Sequence, residues 1–455
     1  MNVRRLTVIA LLMASTWCEG NSLFAQEQPS EWTLQNCIDY ALQQNITIRK
    51  NRVNSQSTQV DVKTAKAALF PSLSFSTSQN VVNRPYQESS SYISGSEVLK
   101  SSSKTSYNGN YGLNASWTVY NGNKRLNTIK QQQLSNQIAE LDVSTSENSI
   151  QESITQIYVQ ILYAAESIKV NEGTLKVSEA QRDRGKELLT AGSIAKSDYA
   201  QLEAQVSTDR YQLVTAQATL QDYKLQLKQL LELDGETEMN LFIPTLGNEN
   251  ILSLLPNKAD VYLAALSFRP EIEAGKLYVQ SSEIGVNIAK AGYLPTISLT
   301  AGIGTNHTNG SDFTFGEQVK NGWNNSAGVS VSVPIFNNRQ TKSAVEKAKL
   351  QQQTSQLNLL EDQKTLYKAI EGIWLDANSA QQRYTAANET LNSTRISYDL
   401  ISEQFNLGMK NTVELLTEKN NLLQAQQEQL QAKYMAILNS QLLKFYQGDK
   451  IELNK

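Results

Sequence analysis

Two stretches of the chain change from a helical to an alternating pattern of apolar and polar residues at a proline. They are KAALFPSLSFSTS at 66–78 and KAGYLPTISLTAG at 290–302, which align with Pro71 on Pro295. After each proline, apolar residues alternate with serine, threonine or glycine. Proline cannot continue a helix, and alternation places one set of side chains on each face of a strand. Each stretch therefore predicts a helix that leads directly into a strand.

The remainder of the first half is dominated by one very long helical pattern. Isoleucines at 150, 154, 157 and 161 recur on one helix face, and no proline lies between Pro85 and Pro244. At about 1.5 Å per residue, a helix over 124–189 would be a rod of roughly 100 Å. In chain order, the pattern predicts a helix over 33–70, a strand over 72–82, an exposed loop over 83–110, a strand over 111–119, the long helix, and a returning helix over 197–233.

The second half repeats this order. It predicts a helix over 261–293, a strand after Pro295, a loop over 306–325 and a strand that carries Val329, Val331, Val333 and Ile335 on one face. From there, equivalent residues of the two halves are separated by the same difference in residue number, or offset, so that Gly192 corresponds to Gly408. The offset persists because an inserted residue would rotate an apolar stripe away from its partner helix. The chain divides into a first repeat over 26–235, a connector over 236–260 and a second repeat over 261–455.

The segment over 1–25 resembles a secretory signal peptide. Arg4 and Arg5 precede a short apolar core at 6–14, and LFA at 23–25 is a plausible cleavage site. A membrane anchor, the alternative, needs a longer apolar run. Lipidation at Cys18 is a second alternative, although the bulky Trp17 precedes it. The mature chain then keeps only Cys37, which is expected to be a small core residue without a disulfide partner.

Composition narrows the class of function. A net charge of −3, with 19% charged residues, gives no indication of nucleic-acid binding. The only histidine, His307, falls in a predicted loop and is assigned no role. A single histidine excludes paired-histidine metal sites and argues against a catalytic triad. We therefore predict no catalytic residues, no metal site and no cofactor, and we do not expect an enzyme.

Four alternating strands in one chain are too few to enclose an aqueous lumen. Strands that face lipid need a closed barrel, and three copies of the chain would supply twelve strands. The apolar faces suit a lipid-facing band, and the Ser, Thr and Asn faces suit a wet interior. A soluble β-sandwich would show the same alternation, but it does not account for a rod-like helix joined to each strand. The aromatic residues expected at the membrane interfaces are Tyr111, Trp117, Tyr120, Tyr293 and Phe336.

The ordered, duplicated motifs resemble the TolC family of outer-membrane efflux and secretion channels across the mature chain. Beside the two proline junctions, they include the strand exits WTVYNGNKR and VPIFNNRQTK and the stretches ELLTAGSIAKSDYAQLEAQ and EQFNLGMKNTVELLTEKNNL. The resemblance implies a mostly α fold with β: a homotrimer whose 12-stranded barrel crosses the outer membrane and continues as a long periplasmic α-helical barrel. It also implies a passive duct that docks to a periplasmic adaptor protein and an inner-membrane transporter, for efflux or type I secretion.

The resemblance also indicates where the family's gate would lie. The hairpin tips, where an adaptor would dock, fall at Gly192 and Gly408. An acidic ring at the pore entrance would fall at Glu414. The family's next acidic position is Thr417 in this chain, and whether Glu418, the following residue, substitutes for it stays open.

The closed state of the family uses links between neighbouring hairpins. The matching positions are Ser197 and Asp198 on the first hairpin and Phe405 and Lys410 on the second. Lys410 is expected to pair with Asp198 or to donate a hydrogen bond to Ser197, whereas Phe405 has no hydroxyl for a polar link. The alternative is that Asp198, Lys410, Glu414 and Glu418 form a solvated helix face.

A second class of function is an extended coiled-coil adhesin or spacer. It explains the long rods but not four strands placed at equivalent positions in two halves. The exported cargo, the opening trigger and the choice between small molecules and proteins do not follow from the sequence.

Overall fold

In the computed structural model, the described residues are 31–86, 90–94, 97–101, 104–236, 238–244, 251–309 and 313–453. The predicted signal peptide over 1–25, with Cys18, lies outside them, as does part of the connector. Among the described residues, no helix contains a segment long and apolar enough to cross a membrane.

The first repeat begins with two helices and ends with a long antiparallel pair. The elements are α1 (Leu34–Gln44), α2 (Ile46–Ala67), β1 (Ser72–Asn83), β2 (Ser90–Ser94), β3 (Glu97–Ser101), β4 (Thr105–Asn121), α3 (Lys124–Thr190) and α4 (Lys196–Leu230). The second repeat has α5 (Lys258–Phe268), α6 (Pro270–Lys290), a 3-10 turn (Ala291–Tyr293), β5 (Thr296–Thr308), α7 (Phe315–Asn321), β6 (Asn324–Ser332), α8 (Gln340–Asn406) and α9 (Thr412–Gln447).

The two long helices are related by the predicted offset. Helices α3 and α8 each have 67 residues and are about 100 Å long at 1.5 Å per residue. The offset that relates the tip glycines also relates both ends of these helices, and each helix is followed by a tight turn and a returning helix, α4 or α9. The long helix predicted over 124–189 is therefore confirmed, and its equivalent in the second repeat is the same length.

The four long strands form one antiparallel sheet in the order β1-β4-β5-β6. In register, Leu73 lies opposite Ala115, Ala115 opposite Ala301, and Ala301 opposite Ala327. One sheet face carries apolar side chains that remain largely exposed; for example, Leu73 is 70% and Phe75 is 68% exposed. Within the described ranges, β1 and β6 are each paired along only one edge.

The helix predicted over 33–70 is interrupted at Asn45. Thr33 is its N-cap as expected, but α1 ends at Asn45, whose side chain caps α2 by accepting hydrogen bonds from the backbone N–H groups of Thr47 and Ile48. The same side chain donates to the carbonyl of Leu230 at 3.0 Å. The apolar periodicity continues across this cap, so the pattern by itself does not reveal the break.

The prediction of one continuous helix over 261–293 is also wrong. The helical stretch begins at Lys258 and breaks at Arg269, because Pro270 has no N–H for an intrahelical bond and occupies the first turn of α6. The buried Arg269 guanidinium is held there by Glu152 and Glu271.

Two predicted loops contain regular structure. The loop over 83–110 includes the β2–β3 hairpin and the first residues of β4, and the loop over 306–325 includes α7, which Thr314 and Glu317 cap reciprocally. The last strand ends at Ser332 rather than continuing to Ile335, since Pro334 cannot donate a ladder hydrogen bond. The returning helix α4 ends at Leu230, slightly before the predicted end.

The main core lies near the middle of the long helices. It brings together α1, α3, α4 and α9 around Ile154, Tyr158 and Leu162. Cys37 is fully buried in this core, as predicted for a small apolar residue. The connector crosses the core: Leu241 pairs with Trp32, and the carbonyl of Phe242 accepts a hydrogen bond from the Tyr158 hydroxyl at 2.5 Å. A second cluster joins α5, α6, α8 and α9.

Candidate functional site

The far ends of the two helical hairpins have the same turn geometry. Gly192 and Gly408 adopt φ of +72° and +73°, in the left-handed region that favours glycine. The next residue in each turn, Ser193 or Met409, donates its N–H to the carbonyl of Leu188 or Gln404, the long bond of a Schellman motif. The structure therefore places both predicted tips in turns that reverse the chain within a few residues.

The helices that leave the tips are capped at equivalent positions. Glu414 accepts from the N–H of Asn411 at 3.2 Å, and the Asn411 side chain accepts from the N–H of Glu414 at 2.9 Å. At the first tip, Asp198 accepts from the N–H of Ala195 at 3.2 Å, but alanine has no side-chain acceptor to return the bond. Asp198 and Glu414 are related by the same offset as the two tip glycines and are therefore equivalent in the duplication.

Glu414, the residue predicted for the acidic ring, forms an ion pair at the second tip. The ammonium group of Lys410 lies 2.5 Å from its Oε1, and both side chains are partly exposed. That hydrogen bond, with the one from the backbone of Asn411, holds the pKa of Glu414 below its usual value. The carboxylate is consequently charged over the whole neutral range.

The remaining predicted site residues lie at the same end. Lys410 pairs with Glu414, and within the described chain neither Ser197 nor Asp198 forms a hydrogen bond or ion pair with this lysine. Phe405 is buried at the end of α8. Glu418 lies one turn after Glu414 and accepts from the Ser397 hydroxyl of α8 at 3.1 Å. Links between neighbouring hairpins stay a prediction.

Sequence reasoning missed a buried ionic cluster above the tips. Asp209 of α4 and Lys419 of α9 form an ion pair in which the side chains are only 1% and 3% exposed. Ser178 of α3 donates to Asp209 at 2.5 Å, and Gln205 donates to its other oxygen at 2.9 Å. Burial lowers the pKa of Lys419, an effect that Asp209 opposes. The cluster joins the two hairpins, and because its two charges come from different repeats of the chain, no local motif reveals it.

The sheet at the opposite end has one apolar and one polar face. Its apolar face carries exposed aliphatic and aromatic side chains, whereas serine, threonine and asparagine occupy the other face. On the polar face, the hydroxyls of Ser72 and Ser116 are 2.8 Å apart. The sheet therefore has one polar and one apolar surface.

Comparison with known proteins identifies the architecture. The family model "Outer membrane efflux protein" matches residues 37–232 and 261–449. The chain is 24% identical to the cation efflux system protein CusC of Escherichia coli O157:H7, over 89% of this chain and 84% of that protein. It is 24% identical to the outer membrane efflux protein BepC of Brucella suis, over 63% of this chain and 60% of that protein. It is 22% identical to TolC of Escherichia coli K12, over 66% of this chain and 62% of that protein.

Solved structures have the same fold. A crystal structure of CusC superposes with a TM-score of 0.78 at 19% identity and covers 92% of both chains. The outer membrane protein VceC of Vibrio cholerae superposes with a TM-score of 0.75 at 15% identity and covers 92% of this chain and 97% of that one. Neither the family match nor these neighbours support the adhesin alternative. The match to both repeats and to the strand sheet between their helices shows that the chain belongs to the outer membrane efflux protein family.

Proposed function

We propose that the chain is one subunit of a homotrimeric outer-membrane export channel that acts as a passive duct. The observation that carries this proposal is the open four-stranded sheet. Its apolar face is exposed, and its two outer strands have unpaired edges within the described ranges. In lipid an unpaired strand edge leaves backbone polar groups without partners, so the sheet must be closed by copies of itself. Three copies give twelve strands, an even number in the range of outer-membrane barrels.

The helical part extends the duct away from the membrane. Helices α3, α4, α8 and α9 form two hairpins that end about 100 Å from the sheet, at Gly192 and Gly408. Three symmetry-related Glu414 carboxylates at this end would favour cations in a narrow, wet entrance. Glu418, which is bonded to Ser397, is a weaker second candidate.

The proposed duct needs partners, because a passive channel supplies no energy of its own. A periplasmic adaptor would dock at the hairpin tips, and an inner-membrane transporter would supply the energy, so we propose no catalytic step and no cofactor for this chain. CusC is named a cation efflux system protein, and another similar protein, from Aggregatibacter actinomycetemcomitans and 21% identical over 89% of this chain and 83% of that protein, is named toxin and drug export protein A. Metal cations, small organic molecules and proteins are accordingly the cargo classes to test.

Single-channel conductance of the purified mature protein in a planar bilayer tests the proposal. We expect small, cation-preferring steps, and Glu414→Gln should weaken the preference for cations without preventing insertion. Glu389→Gln is the control, because it removes the same charge from an exposed site on α8 about 30 Å from the tip.

Two results would count against the proposal in different ways. Unchanged selectivity in Glu414→Gln would show that the acidic ring is misplaced. A protein that stays soluble without detergent and gives no conductance would favour the extended structural rod instead of the duct.

A further inference from the structure

Positive charge is concentrated where the helices meet the strands. The four helix ends next to the sheet, at 56–70, 124–138, 280–294 and 337–351, contain ten Lys and Arg side chains against three Asp and Glu, a net of +7 in a chain whose total is −3. The basic residues are Lys63, Lys66, Lys124, Arg125, Lys130, Lys290, Arg339, Lys342, Lys347 and Lys349. Lys66 and Lys290 occupy the same position in the duplicated junction motif.

Three of these lysines share one groove. Lys63, Lys66 and Lys130 line a groove of about 920 Å³ between α2, α3 and α6. All three are exposed, and none of them forms an ion pair with a described residue. The two acids of the groove wall are bonded to amides instead: Glu140 accepts from Asn136 at 2.7 Å, and Glu283 accepts from Gln352 at 3.3 Å. The three ammonium groups are therefore available to an external anion.

The groove opens on the apolar side of the protein. A separate cavity is lined by Thr118, Thr296 and Ser332 of the polar strand face together with Lys124. Lys130 comes six residues after Lys124 on α3. At about 100° per residue, its side chain leaves the helix about 120° away from that of Lys124, and so away from the polar side. The groove is consequently on the side where the strands expose apolar side chains.

The groove also lies at the depth of lipid headgroups. Exposed aromatic side chains at Phe70, Tyr293 and Phe336 lie where strands β1, β5 and β6 join the helices, as expected at a membrane interface. Lys66 and Lys63 precede Phe70 by one and two helical turns, which places them about 6 Å and 10 Å further from the strands. A lysine side chain is long enough to bring its ammonium group back toward the interface.

We propose that Lys63, Lys66 and Lys130 bind the phosphate headgroups of anionic phospholipids in the periplasmic leaflet. The inference rests on the proposed membrane position of the sheet. Basic pockets beside apolar membrane surfaces attract anionic lipid, because the phosphate meets the ammonium groups while the acyl chains cover the apolar face. A free phosphate ion would gain only the first of these contacts, so a lipid is the occupant that fits both surfaces.

Lipid retention by the purified mature protein tests the inference. The protein in detergent is mixed with phosphatidylglycerol or phosphatidylcholine, and bound lipid is counted by native mass spectrometry. We expect phosphatidylglycerol to be preferred. The triple variant Lys63→Gln, Lys66→Gln, Lys130→Gln should lose that preference by roughly tenfold or more at low salt, whereas the three Lys→Arg substitutions should retain it.

A matched control removes the same charge elsewhere. Lys176, Lys186 and Lys196 are exposed near the first hairpin tip, about 70 Å or more from Lys130, and have no ion-pair partner among the described residues. Changing all three to glutamine should leave lipid retention unchanged. Equal loss in the two triple variants would mean that net charge alone governs binding and would overturn the proposed site.

The remaining outcomes separate this inference from the proposed function. If the wild-type protein conducts in a bilayer but retains both lipids equally, the lipid site is wrong and the channel stands. If excess inorganic phosphate displaces the lipid completely, the groove is a simple anion site and the inference also fails. A protein that does not insert at all contradicts the proposed function itself.

Discussion

At the scale of single residues, the buried pair Asp209–Lys419 is the most consequential feature of the hairpins. Each ion is almost fully removed from water, so the pair persists only because each charge compensates the other and Ser178 and Gln205 satisfy the carboxylate. Glu414, by contrast, is partly exposed and pairs with Lys410 at the surface of the second tip. The two carboxylates lie on different hairpins, and burial distinguishes their surroundings.

Removing one partner of the buried pair should destabilise the protein. We expect Asp209→Asn to lower the free energy of unfolding by about 3–5 kcal/mol, because the buried Lys419 would lose its counter-ion and would either stay charged without a partner or release its proton. The double variant Asp209→Leu, Lys419→Met should recover most of that loss. Arg184→Gln, which breaks an exposed pair with Glu187, is the control and should cost less than about 1 kcal/mol. Denaturant unfolding measures all three, and a double variant as unstable as the single one would contradict the argument.

A second residue-scale prediction concerns the thiol of Cys37. Burial raises the pKa of Cys37 to about 12, so the folded protein holds almost no thiolate at pH 8. Because the ordinary pKa of a thiol is 9.0, the unfolded chain releases this proton first, and the free energy of unfolding should fall as pH rises from about 9 to 12. Iodoacetamide should leave Cys37 unmodified until denaturant is added. Ser193→Cys at the exposed tip is the positive control for the reagent.

At the scale of elements, caps and prolines decide where helices end. The sequence pattern correctly predicts the two long rods, because their stripes are long and uninterrupted. It misses the breaks at Asn45 and Pro270, where the apolar stripe continues past a capping side chain or a first-turn proline. It also misses the β2–β3 hairpin, because that segment has too few alternating apolar residues for a strand to be recognised.

The two tip glycines give a direct test at this scale. Gly192→Ala and Gly408→Ala should each lower the free energy of local unfolding at the tip by about 1–2 kcal/mol. The reason is that a side chain in the left-handed region is strained even where space is open. Gly173→Ala is the matched control: it also has open space but lies inside α3, where alanine should stabilise the helix by up to about 1 kcal/mol. Hydrogen exchange at the hairpin ends reports the difference, and equal protection in all three variants would argue against strained turns.

At the scale of the whole molecule, the unpaired sheet edges provide a test of the proposed trimer. If three copies close one barrel, β1 of one chain meets β6 of the next. A variant with Ser74→Cys and Ser330→Cys should therefore give covalent dimers and trimers with a short bis-maleimide in membranes. Each single variant should remain monomeric after treatment, because it offers a reactive thiol on only one edge and Cys37 is buried. Failure of the double variant to form trimers would argue against closure along these strands.

The sequence by itself determined the duplication, the helix-to-strand junctions, the long rods and the tip turns. These depend on local rules: the period of the apolar pattern, the stop at proline and the backbone freedom of glycine. Only the tertiary structure decided which distant residues meet. The pairing of Asp209 with Lys419 and the shared groove of Lys63 and Lys130 both depend on how helices pack side by side. Packing brings together residues far apart in the chain, and no local pattern encodes which ones.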